Sequence, residues 1–199
     1  MVELVAFTED FARGKIVKTR ENRTEPEIGI HLAQALPKDK NMEMVVRRGT
    51  EIGLKKIIPV TTERTVVQLN KKKEEKRKAR WSRIAREAAK QSRRGMIPRI
   101  DDLHSVKEVG ELASDYDLAL LMWAGEQACS LKEVLNDLNY IPDKVLVLIG
   151  PEGGFSSGEV KVLTEKFSFK TAGLGPRILR TETAGLVVLS LILYQFNEM

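Results

Sequence analysis

Apolar and polar positions alternate through "VELVAF" and "KIVKTR" at the start of the chain, with a turn around Arg13-Gly14 between them. The period of two predicts a β-hairpin. Such a hairpin is marginal in water on its own and cannot be a domain. "NRTEPE" follows as a charged linker broken by Pro26. From Ile28 the rhythm changes. Short, nearly continuous apolar runs, "IGIHLAQAL", "KKIIPVT", "YDLALLMW", "KVLVLIG" and "FKTAGLG", predict strands. Stretches of helical periodicity separate them near residues 39–53, 74–94, 105–113, 130–138 and 157–167, and a last helix is predicted over 182–197. Strands buried on both faces and alternating with helices imply an α/β fold, a parallel sheet with helices on both faces. In such sheets ligands bind beyond the carboxyl ends of the strands.

Two helices depart from the ordinary amphipathic pattern. Over 74–94, Trp81, Ile84, Ala85, Ala88 and Ser92 share one face, while Arg83, Arg86, Lys90, Arg93 and Arg94 share the opposite one. The final helix, "AGLVVLSLILYQF", is apolar on every side, which predicts burial in the core or in a subunit interface. Before it runs "GLGPRILRTETA", with two Gly and a Pro for a turn and a Thr-Glu-Thr cluster able to cap the helix.

Charge sharpens the first of these. Residues 71–99 hold thirteen Lys or Arg against three Glu, a segment of +10 in a chain whose net charge is +5, so the remainder sums to −5. A charge run is usually a solvated face. The scarcity of intervening acids, the Arg-rich last turns and "QSRRG" favour a polyanion partner, because the guanidinium fork bonds two phosphate oxygens at once. Arg64, just past a strand's carboxyl end, and Arg47 and Arg48 on the first helix are candidates to extend that surface.

The stretch "LVLIGPEGGF" empties an apolar strand into Gly150-Pro151-Glu152-Gly153-Gly154. It lacks the Lys-Ser/Thr of a P-loop and the glycine spacing of a dinucleotide fingerprint, and Glu152 would repel phosphate. A cofactor with a positive centre, such as a sulfonium, fits better, read by main-chain groups that glycines leave accessible. The plainer alternative is a turn in which Glu152 or Ser156 caps the next helix. Cys129 is the only cysteine, which excludes an internal disulfide and a multi-cysteine zinc site. His31 and His104 lack a second ligand at metal spacing, so both are expected to be structural or surface residues and no metal is expected. The start of the chain has no signal-peptide pattern, and Ala184–Tyr194 is too short to span a bilayer. The expectation is a cytoplasmic protein with no membrane partner.

"IGPEGGFSSGEV" followed by "LGPRILRTETA" resembles the paired C-terminal motifs of the RsmE family, the 16S ribosomal RNA uridine-N3 methyltransferases of the SPOUT superfamily. "LAQALPKDKNMEMVVRRGTEIGLKKIIPVTTERTV" and "RWSRIAREAAKQSRRGMIPRI" are similar to the family's strand-helix-strand entry and basic helix, so the likeness spans residues 26–196. The resemblance implies a C-terminal trefoil knot, an exception to the unknotted rule. It also implies a homodimer, a 16S rRNA or small-subunit partner, and S-adenosylmethionine as cofactor. The cofactor would lie against Leu121, Ile149, Gly150, Pro151, Glu152, Gly153, Gly154, Leu174, Gly175, Ile178, Leu179, Arg180 and Thr183. Arg180, ahead of Arg177, is the candidate to stabilise charge on the uracil, and Glu152 and Glu182 are the candidate bases. For Glu182 a first-turn carboxylate favoured by the helix dipole is an equal alternative. RNA would meet Arg64, Arg83, Arg86, Lys90, Arg93 and Arg94. Family members carry an N-terminal PUA-like RNA-binding barrel. Here residues 1–25 suffice only for its last hairpin, a remnant ahead of a SPOUT methyltransferase domain at 26–199. Another SPOUT-type RNA methyltransferase, or a non-catalytic RNA-binding ribosome factor, are the alternative functions.

Overall fold

The computed structural model describes residues 2–19, 23–38, 41–67, 69–125 and 129–199. Arg20 and Asn22, in the expected strand and linker, and positions 39 and 40, where the first helix is expected to begin, lie outside these.

The opening alternation folds into a hairpin of β1 (Val2–Phe7) and β2 (Ala12–Ile16), with an irregularity between Leu4 and Ala6. The turn expected at Arg13-Gly14 is a correction: those two residues pair within β2, and the chain reverses at Thr8–Phe11, where the Thr8 N–H donates to the Phe11 carbonyl at 2.9 Å. Val2 pairs with Ile16 and Leu4 with Gly14, while Glu3 meets Lys15 between them, so one face is apolar and the other charged. Every residue of both strands is exposed.

The remaining strands form one parallel sheet: β3 (Gly29–Ala35), β4 (Lys56–Thr61), β5 (Arg99–Ile100), β6 (His104–Ser105), β7 (Leu118–Met122), β8 (Cys129–Ser130), β9 (Lys144–Ile149) and β10 (Lys170–Gly173). Their order is β5-β4-β3-β9-β7-β10-β8, and β6 also pairs with β4. Strand β9 lies between β3 and β7, with Gln34 beside Ile149 and Leu121 beside Leu148. Alternate residues of β9 feed two cores. Val145, Val147 and Ile149 face α1 (Asn41–Ile52), α2 (Lys71–Gln91), α4 (Leu131–Asn136) and α6 (Thr181–Gln195). Leu146 and Leu148 face α3 (Val106–Leu112) and α5 (Ser157–Glu165). The α/β sandwich with helices on both faces is therefore present.

Helix starts follow their local chemistry. Asn70 caps α2, accepting from the Lys73 N–H at 3.0 Å. Capping boxes open α3 (Ser105/Glu108), α4 (Ser130/Glu133) and α5 (Ser156/Glu159). The expected cap of α6 is a correction. Its N-cap is Arg180, with no side-chain cap bond, and Thr181 stands inside the first turn with its hydroxyl turned away toward Gly150. Helix α6 buries Gly185, Val188, Leu189, Ile192 and Leu193 and packs along α1, while Leu191 and Tyr194 remain exposed.

Candidate functional site

Because the large sheet is parallel throughout, its carboxyl ends collect along one edge, where the loops after β3, β4, β9 and β10 meet the start of α6. The loop after β9 is a tight turn: the Gly154 N–H donates to the Pro151 carbonyl at 2.9 Å, and Gly154 has φ +66°. Gly175, in the loop after β10, has φ +93°. A side chain at either position would be strained, and a Cβ there would meet nothing within 4 Å, so both turns border open space.

Hydrogen bonds fix the β9 loop and the first turn of α5 that follows it. The Lys38 N–H donates to Glu152 Oε1 at 2.9 Å. Arg64 Nη1 donates to the Gly153 carbonyl at 2.8 Å. The Glu63 N–H donates to Glu159 Oε1 at 2.9 Å, while the other oxygen of Glu159 accepts from the Ser156 N–H. The Thr181 hydroxyl donates to the Gly150 carbonyl at 2.5 Å and accepts from Gln34 Nε2 at 2.9 Å. Of the two caps foreseen for α5, Ser156 is the one present. Glu152 instead staples its loop to the end of β3.

The sequence-predicted cofactor residues come together along this edge. Gly150 to Gly154, Leu174, Gly175, Ile178, Leu179, Arg180 and Thr183 all belong to its loops or to the first turn of α6. Leu121 and Ile149 are buried, so their side chains belong to the core and only main-chain atoms remain to meet a ligand. Ile178 is 93% exposed. The Arg180 side chain is 85% exposed, and its Nη1 stands 4.0 Å from the carboxylate of Glu182, which is buried. Arg177 is exposed in the same loop. Gln34, Lys38 and Thr181 are the residues that sequence reasoning missed. Gln34 carries a signal, being the amide of a strand otherwise filled mostly by apolar residues, whereas Thr181 reads in the sequence as part of a helix cap.

The basic surface divides. Arg83, Arg86 and Lys90 are exposed on the outer face of α2, and Lys90 pairs with Glu87 at 3.1 Å. Arg93 is exposed just past the helix with φ +59°. Arg64 is exposed but pinned to Gly153. Arg94 does not share the cationic face. Its side chain is only 2% exposed; Nη2 meets Glu25 Oε2 at 2.6 Å, and Nη1 donates to the carbonyls of Thr50 and Leu54 at 2.9 and 2.7 Å. The reason is that α2 stops at Gln91, so the helical face assumed for residue 94 does not exist, and the turn at Arg93 sends the next side chain back under the end of α1.

Away from this edge, His31 Nδ1 and the Tyr116 hydroxyl lie 2.8 Å apart. Burial, reinforced by Lys56, Lys144 and Lys55, pushes His31 down to about 4, and burial with the nearby Asp115 and Asp101 pushes Tyr116 up to about 12. Among the described residues no group of three His, Cys, Asp or Glu could hold a metal ion, and no helix is long and apolar enough to cross a membrane. A cavity of about 230 Å³ lies between α2 and the β4 edge, over Pro59, Leu69, Trp81 and Leu103. Lys78 and Asp102 pair at 2.6 Å on its wall, and none of the glycine turns lines it.

A family model described as an RNA methyltransferase domain matches residues 24–193. Ribosomal RNA small subunit methyltransferase E of Bacillus subtilis (strain 168) is 39% identical over 199 residues, covering 97% of this chain and 76% of that protein. The protein of the same name from Mesomycoplasma hyopneumoniae (strain 232) is 32% identical over 190 residues, 94% of this chain and 79% of that one. Among solved structures, a putative methyltransferase from Legionella pneumophila in complex with the bound cofactor SAM is similar with a TM-score of 0.82 at 31% identity, over 97% of this chain and 77% of that one. Ribosomal RNA small subunit methyltransferase E from Neisseria gonorrhoeae, bound to S-adenosyl methionine, is similar with a TM-score of 0.80 at 27% identity, over 96% and 77% of the two chains.

Proposed function

The chain belongs to the ribosomal RNA small subunit methyltransferase E family, and on that premise we propose that it methylates N3 of a uridine in 16S ribosomal RNA, with S-adenosylmethionine as the methyl donor. The observation that carries this reading is the meeting of the Gly150–Gly154 turn with the Leu174–Arg180 loop and the start of α6 at the carboxyl edge, closed by the bond from Thr181 to Gly150. The open space beside Gly154 and Gly175 suits a ligand held by main-chain groups. Glu152, tied to Lys38, adds a carboxylate compatible with a cationic centre.

When bound, S-adenosylmethionine supplies an electrophilic methyl group on a sulfonium. The chain's own task is to align the uracil for in-line transfer and to manage the N3 proton. Transfer would require the N3 proton to leave to a base, so that the N3 electron pair is free to take the methyl group. Arg180, whose guanidinium projects from the N-cap of α6, stabilises the negative charge on the uracil, and the buried Glu182 carboxylate orients it. Arg177, on the same loop, reinforces that charge. Glu152 and Glu182 are the carboxylates within this edge able to take the proton. Arg83, Arg86, Lys90 and Arg93 hold the RNA backbone, and Arg64 joins the RNA surface to the cofactor loop.

The finer architecture belongs to the same proposal. The family likeness and the tie between Gly150 and Thr181 across the loops support a trefoil knot over the C-terminal part. The exposed Leu191 and Tyr194 on an otherwise apolar α6 support a homodimer through that helix. Residues 1–25 act as part of an RNA-binding barrel and 26–199 as the methyltransferase domain. A ribosomal substrate supports a cytoplasmic location.

Calorimetry with S-adenosylmethionine, followed by mass spectrometry of treated 16S rRNA, tests the reading. Saturable binding and N3-methyluridine are expected. Arg180→Ala should keep cofactor affinity and the melting temperature while methyl transfer falls by roughly 10²-fold. Tight RNA binding without cofactor binding would mean a non-catalytic factor, and methyl on another atom would mean a different RNA methyltransferase.

A further inference from the structure

Gln34 is the anomaly of the core. It sits in β3 with no exposed surface, beside Ile149 on the central strand, and its side chain carries two donors and one acceptor into an apolar layer. Both donor bonds are made: Nε2 donates to the Ala35 carbonyl at 3.1 Å and to Thr181 Oγ1 at 2.9 Å. Oε1 is buried with no partner. The orientation is dictated by Thr181. The Gly150 carbonyl can only accept, so the Thr181 hydroxyl spends its single proton there and must accept from Gln34. Turning the amide over would face two acceptors with an oxygen. The orphan Oε1 therefore points toward α6, where a Cβ on Gly185 would stand 3.2 Å away.

A leucine of similar volume would fill this place without an unsatisfied acceptor, so stability alone does not account for the amide. What leucine would lose is the donor that fixes Thr181. From this we infer that Gln34 and Thr181 form a positioning relay that sets the peptide plane of Gly150, and with it the course of the Pro151–Gly154 turn, for cofactor binding. The relay links three segments far apart in sequence: the end of β3, the exit of β9 and the first turn of α6. Because Pro151 has a fixed φ, the Gly150 peptide plane is the soft point of entry into the turn. The relay holds that plane in addition to the Lys38 and Arg64 ties to Glu152 and Gly153, using neutral groups that neither attract nor repel a charged ligand.

The inference rests on the strand-edge loops being the cofactor site, and two readouts separate its failure from the failure of that reading. Amide hydrogen exchange at Gly154, whose N–H closes the turn, reports on the loop without cofactor. Gln34→Leu and Thr181→Val should each speed it by roughly tenfold, while Thr181→Ser, which keeps the hydroxyl, should not. With S-adenosylmethionine, the same two variants should raise KM by roughly tenfold with a smaller change in kcat, and the double variant should be no worse than either single one. A wild-type protein that binds no cofactor would refute the proposed function, and the exchange data would still decide the relay. Unchanged exchange in Gln34→Leu overturns the inference. Should that variant fail to fold, Thr181→Ser behaving like Thr181→Val overturns it equally.

Discussion

Replacing Arg94 by alanine should damage the fold and spare the RNA surface, the reverse of what its place in "QSRRG" suggests. Its guanidinium, almost wholly buried, bonds Glu25 through Nε and Nη2 and ties off the Thr50 and Leu54 carbonyls at the end of α1 through Nη1. Glu25 in turn accepts from the N–H groups of Gly95 and Met96 at 2.9 and 3.2 Å. Removing one partner of a buried ion pair costs about 3–5 kcal/mol. Glu25 keeps its two main-chain donors and its side chain is 20% exposed, so the lower end, about 3 kcal/mol, is the better figure for Arg94→Ala. For a chain of this length that lowers the melting temperature by roughly 6–12 °C. The neighbouring Arg93→Ala, exposed, should change stability by less than about 0.5 kcal/mol. Urea unfolding of both variants, with RNA affinity measured alongside, decides the matter. Burial raises the Glu25 carboxyl, but the Arg94 bonds and charge and the two N–H donors outweigh it and hold the group below its ordinary value of 4.5. With the folded value depressed, the clamp is at full strength above that ordinary value and is lost as pH falls through the folded one; Glu25→Gln should flatten this acid limb. Wild-type stability in Arg94→Ala together with weakened RNA binding would refute the reasoning.

Two further outcomes are expected. Reversing Arg83 and Arg86 to Glu should weaken RNA binding and shrink its salt slope by about 0.7–0.9 for each phosphate no longer neutralised, and an unchanged slope would make the outer face of α2 only a solvated one. His31 is held at about 4 against an ordinary 6.5, so between these values the unfolded chain takes up a proton that the folded one refuses. Stability should therefore fall as pH drops through that window. The full displacement would be worth about 3 kcal/mol, which the partial exposure of the ring reduces to about 1–2 kcal/mol; His31→Gln should remove most of that slope in urea titrations.

Much of the fold is legible because burial on both faces writes continuous apolar runs. The strands β3, β4, β7, β9 and β10 lie within the runs that predict them, and five of the six helices start within two residues of expectation among the described residues. What is lost has local causes. The start of α2 at Lys71 is set by the Asn70 cap, and "KKKEEK" carries no apolar stripe for periodicity to find. Strands β5, β6 and β8 are two residues long and hold no pattern at all. Arg94 is misplaced by a helical wheel that runs three residues past the last helical one, across a positive φ.

The site is legible in its glycines and opaque in its ties, and the difference is physical. A positive φ is a property of one residue and marks the sequence directly, as at Gly154 and Gly175. The bonds from Lys38 to Glu152, from Arg64 to Gly153 and from Gln34 through Thr181 to Gly150 join segments up to 147 residues apart, and no spacing rule reaches that far. Those ties also give Glu152 its place. A carboxylate in a glycine loop reads as a reagent, yet its Oε1 closes the loop onto the end of β3, while from the end of β4 Arg64 grips the same loop and Glu63 the first turn of α5. Arg64 therefore stands against the glycine loop itself, apart from the outer face of α2 that carries Arg83, Arg86 and Lys90.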